Sequence, residues 1–203
     1  MATVLEIEAR VRAALELGDT EPTAPVVLGW VTRAIVSLSD FFNSTPRFSI
    51  GFKRMVKTAD IQLDTDSRFA EPDDCLRVLV AGTVNGRYIA RVVRHGQHTV
   101  QDEFLRASIY EPWLRELGNV TDLTNAQRTA NHLEVRPRKF ERTTAHIYYI
   151  KQPEGTDVIG DEIADAVVFA AAKTGAVEQG DGEKLKVMET RFAEEMQRLG
   201  VSA

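Results

Sequence analysis

The sequence predicts an α+β fold: a helical hairpin at each end of the chain, the two packed as a bundle, with a small antiparallel β region inserted between them. Three observations support this. Apolar residues recur at helical spacing near both ends, they alternate with polar residues in the middle, and an Asn-Gly pair separates two of the middle runs. The helical part is expected at 1–46 and 154–203. The β-rich insertion, which carries one helix at about 99–117, is expected at 47–153.

The N-terminal hairpin begins with a capping box. Thr3 and Glu6 have the S/T-x-x-E spacing in which each side chain bonds the other residue's backbone N–H, so a helix is expected over 3–17, with Gly18 ending it. A second helix is expected over 25–42, where a first-turn proline is tolerated and the apolar residues form one stripe. The stripe residues are Val27, Trp30, Val31, Ala34, Leu38 and Phe41.

The middle of the chain changes to a period of two, which is typical of strands. Phe48, Ile50 and Phe52 alternate with polar or small residues and predict a first strand, and Ile61 with Leu63 predicts a second.

The sharpest local signal is a predicted β-hairpin. The runs 76–84 and 87–93 are joined by Asn85-Gly86, which supplies the two positive-φ positions of a type I′ turn. After the predicted helix at about 99–117, the stretch 118–131 is polar and turn-rich. Two more strands are expected around 132–135 and 144–150.

The C-terminal hairpin is predicted from a helix over 161–174, a turn at 180–182 and a last helix. Asp181 and Glu183 suit the positive end of that last helix. Its apolar stripe is Leu185, Met188, Phe192, Met196 and Leu199.

Charge and composition restrict the class of protein. The chain has 30 acidic and 25 basic side chains and a formal net charge of −5, which argues against a dedicated nucleic-acid binder. With one cysteine, no internal disulfide is possible. No secretion signal and no run of about 18 uninterrupted apolar residues is evident, so synthesis in the cytoplasm and no membrane span are expected.

The sequence predicts no catalytic residue, no metal site and no cofactor. It lacks the common nucleophile-elbow, phosphate-loop and zinc-protease motifs. His95 and His98 are the only closely spaced histidines, and two ligands are too few for a metal. Asp73 and Asp74 precede Cys75 and would raise the thiol pKa, the opposite of what a nucleophile needs.

Two clusters of basic residues are candidates for an interface. One cluster lies on and beside the second strand of the predicted hairpin, and the other lies in the connection before the last strand. A solvated surface explains them, and so does an electrostatic contact with acidic protein or with a DNA backbone. The candidates are Arg87, Arg91, Arg94, Arg136, Arg138, Lys139 and Arg142.

Taken together, these segments resemble the head-to-tail adaptor (connector) proteins of tailed bacteriophages. The matching pieces are an opening helical hairpin (Leu5 to Phe42), a proline-acid segment leading into a strand (Ala70 to Val78), and a short hairpin at Val84-Asn85-Gly86-Arg87. They also include a strand with tyrosines before a proline (Ile147 to Pro153) and a closing helical hairpin that contains Gly180-Asp181 and Phe192-Ala193-Glu194-Glu195. The polar stretch from His95 to Asn131 is longer than in that family. The sub-branch, in a short-tailed phage, a long-tailed phage or a gene-transfer particle, stays open.

The resemblance implies a non-enzymatic virion subunit in the neck, made in the host cytoplasm. It implies a homo-oligomeric ring, typically of about twelve copies, with head-to-tail contacts between neighbours. One side of the ring would dock on the portal protein, and the other would receive a downstream tail protein of the nozzle or stopper type. Double-stranded DNA would pass through the bore without specific binding, which suits an acidic chain.

Two alternatives from other classes stay open. A small enzyme or regulator would use Cys75, His95 and His98. A small DNA-binding or regulatory module would act through the basic hairpin, and its duplex affinity would fall steeply with salt.

Overall fold

The computed structural model describes residues 1–18, 21–42, 45–62, 68–83, 89–93, 113–121, 129–136 and 144–201. Within them the chain forms five α-helices and nine β-strands, so the fold is α+β. It divides into two compact units. The helical unit is Met1–Val56 with Gln152–Ala203, and the strand unit is Lys57–Lys151. The chain therefore leaves the helical unit after Val56 and returns at Gln152, whereas the sequence places the insertion at 47–153.

The first helix starts as predicted and ends earlier. Strand β1 (Ala2–Thr3) leads into α1 (Val4–Ala14). The Thr3 hydroxyl accepts a hydrogen bond from the backbone N–H of Glu6 at 3.1 Å, and the Glu6 carboxylate accepts one from the backbone N–H of Thr3 at 2.7 Å. These two bonds confirm the capping box. The prediction that Gly18 ends the helix is wrong, because the chain turns at Glu16, whose φ is 54°.

Helix α2 (Ala24–Leu38) continues into a 3₁₀ turn (Ser39–Phe41), in agreement with the predicted second helix. Its predicted stripe is buried except for Phe41, which is half-buried. By length and composition, Ala24–Phe41 is the one segment of the described chain that could also cross a membrane. The burial of its apolar stripe within the helical unit accounts for that composition equally well.

The predicted strand at Phe48–Phe52 is wrong. Residues Pro46–Gly51 form a short helix, α3, with proline in its first turn. Phe48 and Phe52 are fully buried and Ile50 is 55 % exposed. Residues four positions apart lie on one face of a helix and also on one face of a strand. The spacing of Phe48 and Phe52 therefore fits either structure.

Helix α4 (Asp161–Gln179) is the centre of the helical unit. It packs against α1, α2, α3 and the last helix, α5 (Gly182–Arg198). The turn between α4 and α5 is as predicted: Gly180 has a φ of 69°, and the Asp181 carboxylate accepts from the backbone N–H of Lys184 at 3.0 Å. Helix α4 runs past the predicted end at Thr174 to Gln179, and Gly175 is one of its buried residues.

The two ends of the chain are joined by backbone contacts inside the helical unit. β1 pairs antiparallel with β9 (Val158–Ile159). The backbone N–H of Gly160 donates to the carbonyl of Gly51 at 2.8 Å, and a Cβ on Gly160 would lie 2.8 Å from the Gly51 Cα. Glycine is therefore required at Gly160 by this close approach.

The strand unit is one seven-stranded sheet in the order β2-β8-β4-β5-β6-β7-β3. Neighbouring strands run antiparallel where their register is defined, except for the parallel pair β5 and β6. The strands are β2 (Val56–Gln62), β3 (Arg68–Ala70), β4 (Cys75–Thr83), β5 (Ile89–Val93), β6 (Trp113–Thr121), β7 (Thr129–Arg136) and β8 (Thr144–Lys151).

Several strand predictions are confirmed and two are corrected. The predicted hairpin strands pair antiparallel as β4 and β5, and the last two strands match β7 and β8. Residue Ile61 lies in β2, while Leu63 and the turn Asn85-Gly86 fall outside the described residues. The predicted helix at 99–117 is wrong over 113–117, which begins β6, and its remainder lies outside the described residues. The turn-rich stretch 118–131 is strand at both ends.

The sheet cannot be one flat layer. β2 and β3 are its two edges, yet only five residues separate Gln62 from Arg68. Six strand spacings across a flat sheet amount to about 29 Å, whereas six residue steps reach roughly 20–22 Å. β5 is where the pairing changes over: Ile89 and Ala90 pair with β4, and Arg91–Val93 pair with β6.

Candidate functional site

Two of the seven basic candidates lie within the described strands. Arg91 is in β5 and Arg136 is in β7. The other five fall outside the described residues: Arg87, Arg94, Arg138, Lys139 and Arg142. The two described members come from different sequence clusters, which the sheet brings into one region.

Arg91 and Arg136 lie in one row with a tryptophan between them. Arg91 is the register partner of Trp113 in β6, and Trp113 is the register partner of Arg136. Neighbouring strands are about 4.8 Å apart, so the backbones of the two arginines are separated by about 10 Å. We call these three residues the basic row. Trp113 was not among the predicted site residues, because its segment is predicted as a helix and a register between distant strands has no local signal.

The charge of the chain is divided unevenly between the units. The helical unit holds 17 acidic and 11 basic residues, a net charge of −6, and the strand unit holds 13 acidic and 14 basic residues, a net charge of +1. The negative charge noted from composition therefore belongs to the helical unit.

The negative charge is concentrated where β1 pairs with β9. Residues 1–9 and 154–165, which this pairing brings together, contain seven acidic residues and no lysine or arginine. Helix dipoles account for part of this, since acids favour the first turns of α1 and α4. Some are also paired within the unit: Asp165 contacts Arg10, and Asp161 contacts the amino group of Met1.

An exposed leucine lies among these acids. Leu5 is 59 % exposed, and its backbone N–H donates to the carbonyl of Gly155 at 3.1 Å. Glu6 follows it, and the adjoining turn carries Glu154 and Asp157, whose carboxylate accepts from the Glu154 backbone N–H at 2.8 Å. We call Leu5, Glu6, Glu154 and Asp157 the acidic face. Hydrogen bonds from Thr3 hold the pKa of Glu6 below its usual value, so that carboxylate stays ionised.

Cys75 has the environment of a structural thiol. It is 9 % exposed, and burial, followed by the nearby charges of Glu71 and Asp74, raises its pKa. A thiol with a raised pKa is a poor nucleophile near neutral pH, which argues against the cysteine-dependent alternative.

Asp74 links two strands of the sheet to the segment before β4. It accepts from the Lys57 ammonium at 2.5 Å and from the Tyr149 hydroxyl at 2.9 Å. These two bonds, that of Lys57 first, lower the pKa of Asp74. Burial and the bond to Asp74 raise the pKa of Tyr149 to about 12. The cluster joins β2, the segment before β4, and β8, and its geometry is that of a structural network.

The histidines do not form a site in the part of the chain that the structure describes. His95 and His98 fall outside it, and His132 lies in β7. His146 contacts Asp60 through Nδ1 at 2.5 Å and packs edge-on against Tyr148. Among the described residues, no group of three potential ligands is close enough to hold a metal ion.

Comparison with known proteins gave no assignment. No protein-family model matches the chain, and the search of curated proteins gave no match.

Proposed function

We propose that this chain is a structural adaptor subunit of a phage head-to-tail connector. Copies would form a ring, of about twelve by resemblance to the family, beneath the portal protein. The ring would extend the DNA channel and dock the next tail component, and it would carry out no chemistry.

The observation that carries the proposal is the way the two chain ends build one unit. Helices α1, α2 and α3 from the first part of the chain and α5 from the last all pack on α4, and the strand unit is inserted between them. We propose that the two terminal helical hairpins act as one rigid bundle that forms the ring and docks on the portal. The strand unit would then offer a second surface.

The charge distribution supports a conduit in which DNA slides. Each phosphate held by lysine or arginine adds salt-sensitive affinity. A helical unit with a net charge of −6 opposes such binding. The basic candidates lie in the strand unit, where an acidic protein partner would suit them.

Co-sedimentation with the cognate portal tests the proposal. The wild-type chain should co-sediment with portal, and reversal of charge at Arg138, Lys139 and Arg142 should weaken ring or portal association. Lys186→Glu, at an exposed position on α5, is the matched control and should change nothing. Failure of the wild-type chain to bind portal would overturn the proposal, and normal assembly of the triple variant would remove those residues from the interface.

A second candidate is a DNA-binding or regulatory module that uses the basic row. The row combines two arginines with an aromatic residue, which is a combination also found where proteins bind nucleic acid. Duplex affinity that falls steeply with salt, in the absence of portal binding, would favour it.

A further inference from the structure

Helix α3 and the turn after it carry an exposed basic surface. Phe48, Phe52 and Met55 are fully buried, whereas the side chains on the other side of this segment are exposed. The exposed set consists of Arg47, Ile50, Lys53 and Arg54, and we call it the α3 face. Residues 41–59, which contain it, include four basic residues and no acidic one. The helical unit has a net charge of −6 and nevertheless carries this positive patch.

The α3 face has an apolar centre. Ile50 is 55 % exposed among three cations, and Lys53 and Arg54 form no ion pair with the described residues. Arg47 donates to the carbonyl of Arg198 at 3.1 Å, which fixes one edge of the face. An exposed apolar residue surrounded by charged groups is typical of a contact between proteins, whereas phosphate groups contact charged and hydrogen-bonding side chains.

The acidic face has the complementary composition, with an exposed leucine among acids, and it lies nearby. A Cβ on Gly155 would lie 3.2 Å from the Leu5 side chain, and one on Gly160 would lie 2.8 Å from the Cα of Gly51 in α3. Five residue steps separate Gly155 from Gly160, so these two backbone positions are at most about 18 Å apart. The acidic face and the α3 face therefore border the same short strand, β9.

Two faces of opposite charge that lie side by side on one unit are complementary to themselves. When two copies meet about a two-fold axis, the acidic face of each copy meets the α3 face of the other, and one encounter makes both contacts. Like faces repel, so the charges favour only this orientation of the pair. A pair with both contacts made leaves neither face open for a third copy.

We propose that two copies of the free chain pair through these faces about a two-fold axis. Leu5 of one copy packs on Ile50 of the other, and Glu154 lies beside the second copy's Lys53 and Arg54. The pairing concerns the chain before it meets portal and goes beyond the adaptor function. Either can therefore fail while the other stands.

Sedimentation velocity of the purified chain without portal tests the pairing. Wild type should shift from monomer to dimer as its concentration rises. The dimer should weaken as added salt screens the exposed charges, because the screening length falls from about 10 Å at 0.1 M to about 3 Å at 1 M.

Charge-swap variants of the full chain identify the two faces. L5K/E154K makes the acidic face basic, and K53E/R54E makes the α3 face acidic. All four positions are exposed, and both the capping box of α1 and the bond of Arg47 stay intact. Each variant should raise the dimer Kd at least about tenfold, because a two-fold contact contains every substitution twice.

Rescue separates a docking contact from damage to the fold. An equimolar mixture of the two variants should form a heterodimer, since every face then meets one of opposite charge, and it should stop at two chains. The chain that carries all four substitutions should pair with itself. E194K and K186E, at exposed positions of α5, are the matched controls and should dimerise like wild type.

The outcomes are distinct. A wild-type chain that stays monomeric at the highest concentration that dissolves overturns the inference. Wild-type dimerisation by either altered variant also overturns it, as does absence of rescue in both the mixture and the combined variant. Complexes larger than two chains in the mixture would show a head-to-tail contact and overturn the two-fold pairing. Duplex-DNA binding that K53E/R54E loses while its dimer persists would assign the α3 face to DNA and overturn it as well.

Discussion

Trp30 and Gly175 are in direct contact at the crossing of α2 and α4. A Cβ on Gly175 would lie 2.7 Å from two carbons of the Trp30 ring and 2.7 Å from a methyl carbon of Leu15. At the same crossing the Trp30 indole N–H donates to the Glu178 carboxylate at 2.6 Å. A glycine within a helix costs stability by itself, so its presence here is explained by the close packing of three helices.

Gly175→Ala should destabilise the helical unit by about 1–3 kcal/mol, because overpacking forces the Trp30 ring and Leu15 to move. Gly29→Ala is the matched control. Gly29 lies within α2 with nothing within 4 Å of a Cβ, so this change should stabilise by about 0.5–1 kcal/mol. Denaturant unfolding measures both changes, and equal effects of the two substitutions would contradict the packing described.

Glu178 should contribute stability that is lost in acid. The hydrogen bond from Trp30, and then that from Arg33, lowers its pKa below 4.5. A lowered folded-state pKa gives stability that is present above the unfolded pKa and disappears as pH falls through the folded one. The thermal midpoint of Glu178→Gln should therefore fall less than that of wild type from neutral pH into the acid range. Glu194→Gln should follow wild type, and identical acid curves for Glu178→Gln and wild type would contradict the pairing.

Tyr149 should titrate near pH 12 in the folded protein. Its folded-state pKa is raised, so its contribution to stability is complete below the unfolded pKa and is lost as pH rises through about 12. Ultraviolet titration of the phenolate should show this late tyrosine, and Tyr149→Phe should remove it and cost about 1–2 kcal/mol. Tyr148→Phe, at a 42 % exposed position, should change stability by less than about 0.5 kcal/mol. A Tyr149 titration near the ordinary value would contradict the bond to Asp74.

Cys75 should be slow to alkylate in the native state and fast in denaturant. Burial raises its pKa and limits access, so little thiolate is available. Iodoacetamide labelling followed by mass spectrometry measures both rates. Cys75→Ala should retain portal association with a modest loss of stability, whereas rapid native labelling would support a reactive thiol.

Local sequence signals were sufficient to predict much of the helical unit. The Thr3–Glu6 capping box and the Asp181 cap depend on residues three positions apart, so the sequence contains all the information that these contacts need. The Asn85-Gly86 signal likewise predicted the pairing of β4 and β5 from neighbours in the chain. These contacts have short loops, which is why pattern and turn chemistry determine them.

The remaining features depend on contacts between distant residues. The spacing of Phe48 and Phe52 fits both a strand and a helix, and their burial in the helical unit favours the helix. Trp113 joins Arg91 and Arg136 only through strand pairing. The acidic face is assembled by β1 and β9 from opposite ends of the chain. Such long-range pairings have no local signature. The sequence predicted Arg91 in or beside a strand, as found, but it put Arg136 in a connection where the structure has β7, and it did not reveal their row.

Electron microscopy of the purified chain mixed with its cognate portal would show whether the chain is an adaptor subunit. We expect a closed ring of subunits seated beneath the portal, with a bore wide enough for duplex DNA. A chain that stays monomeric beside intact portal particles would contradict it.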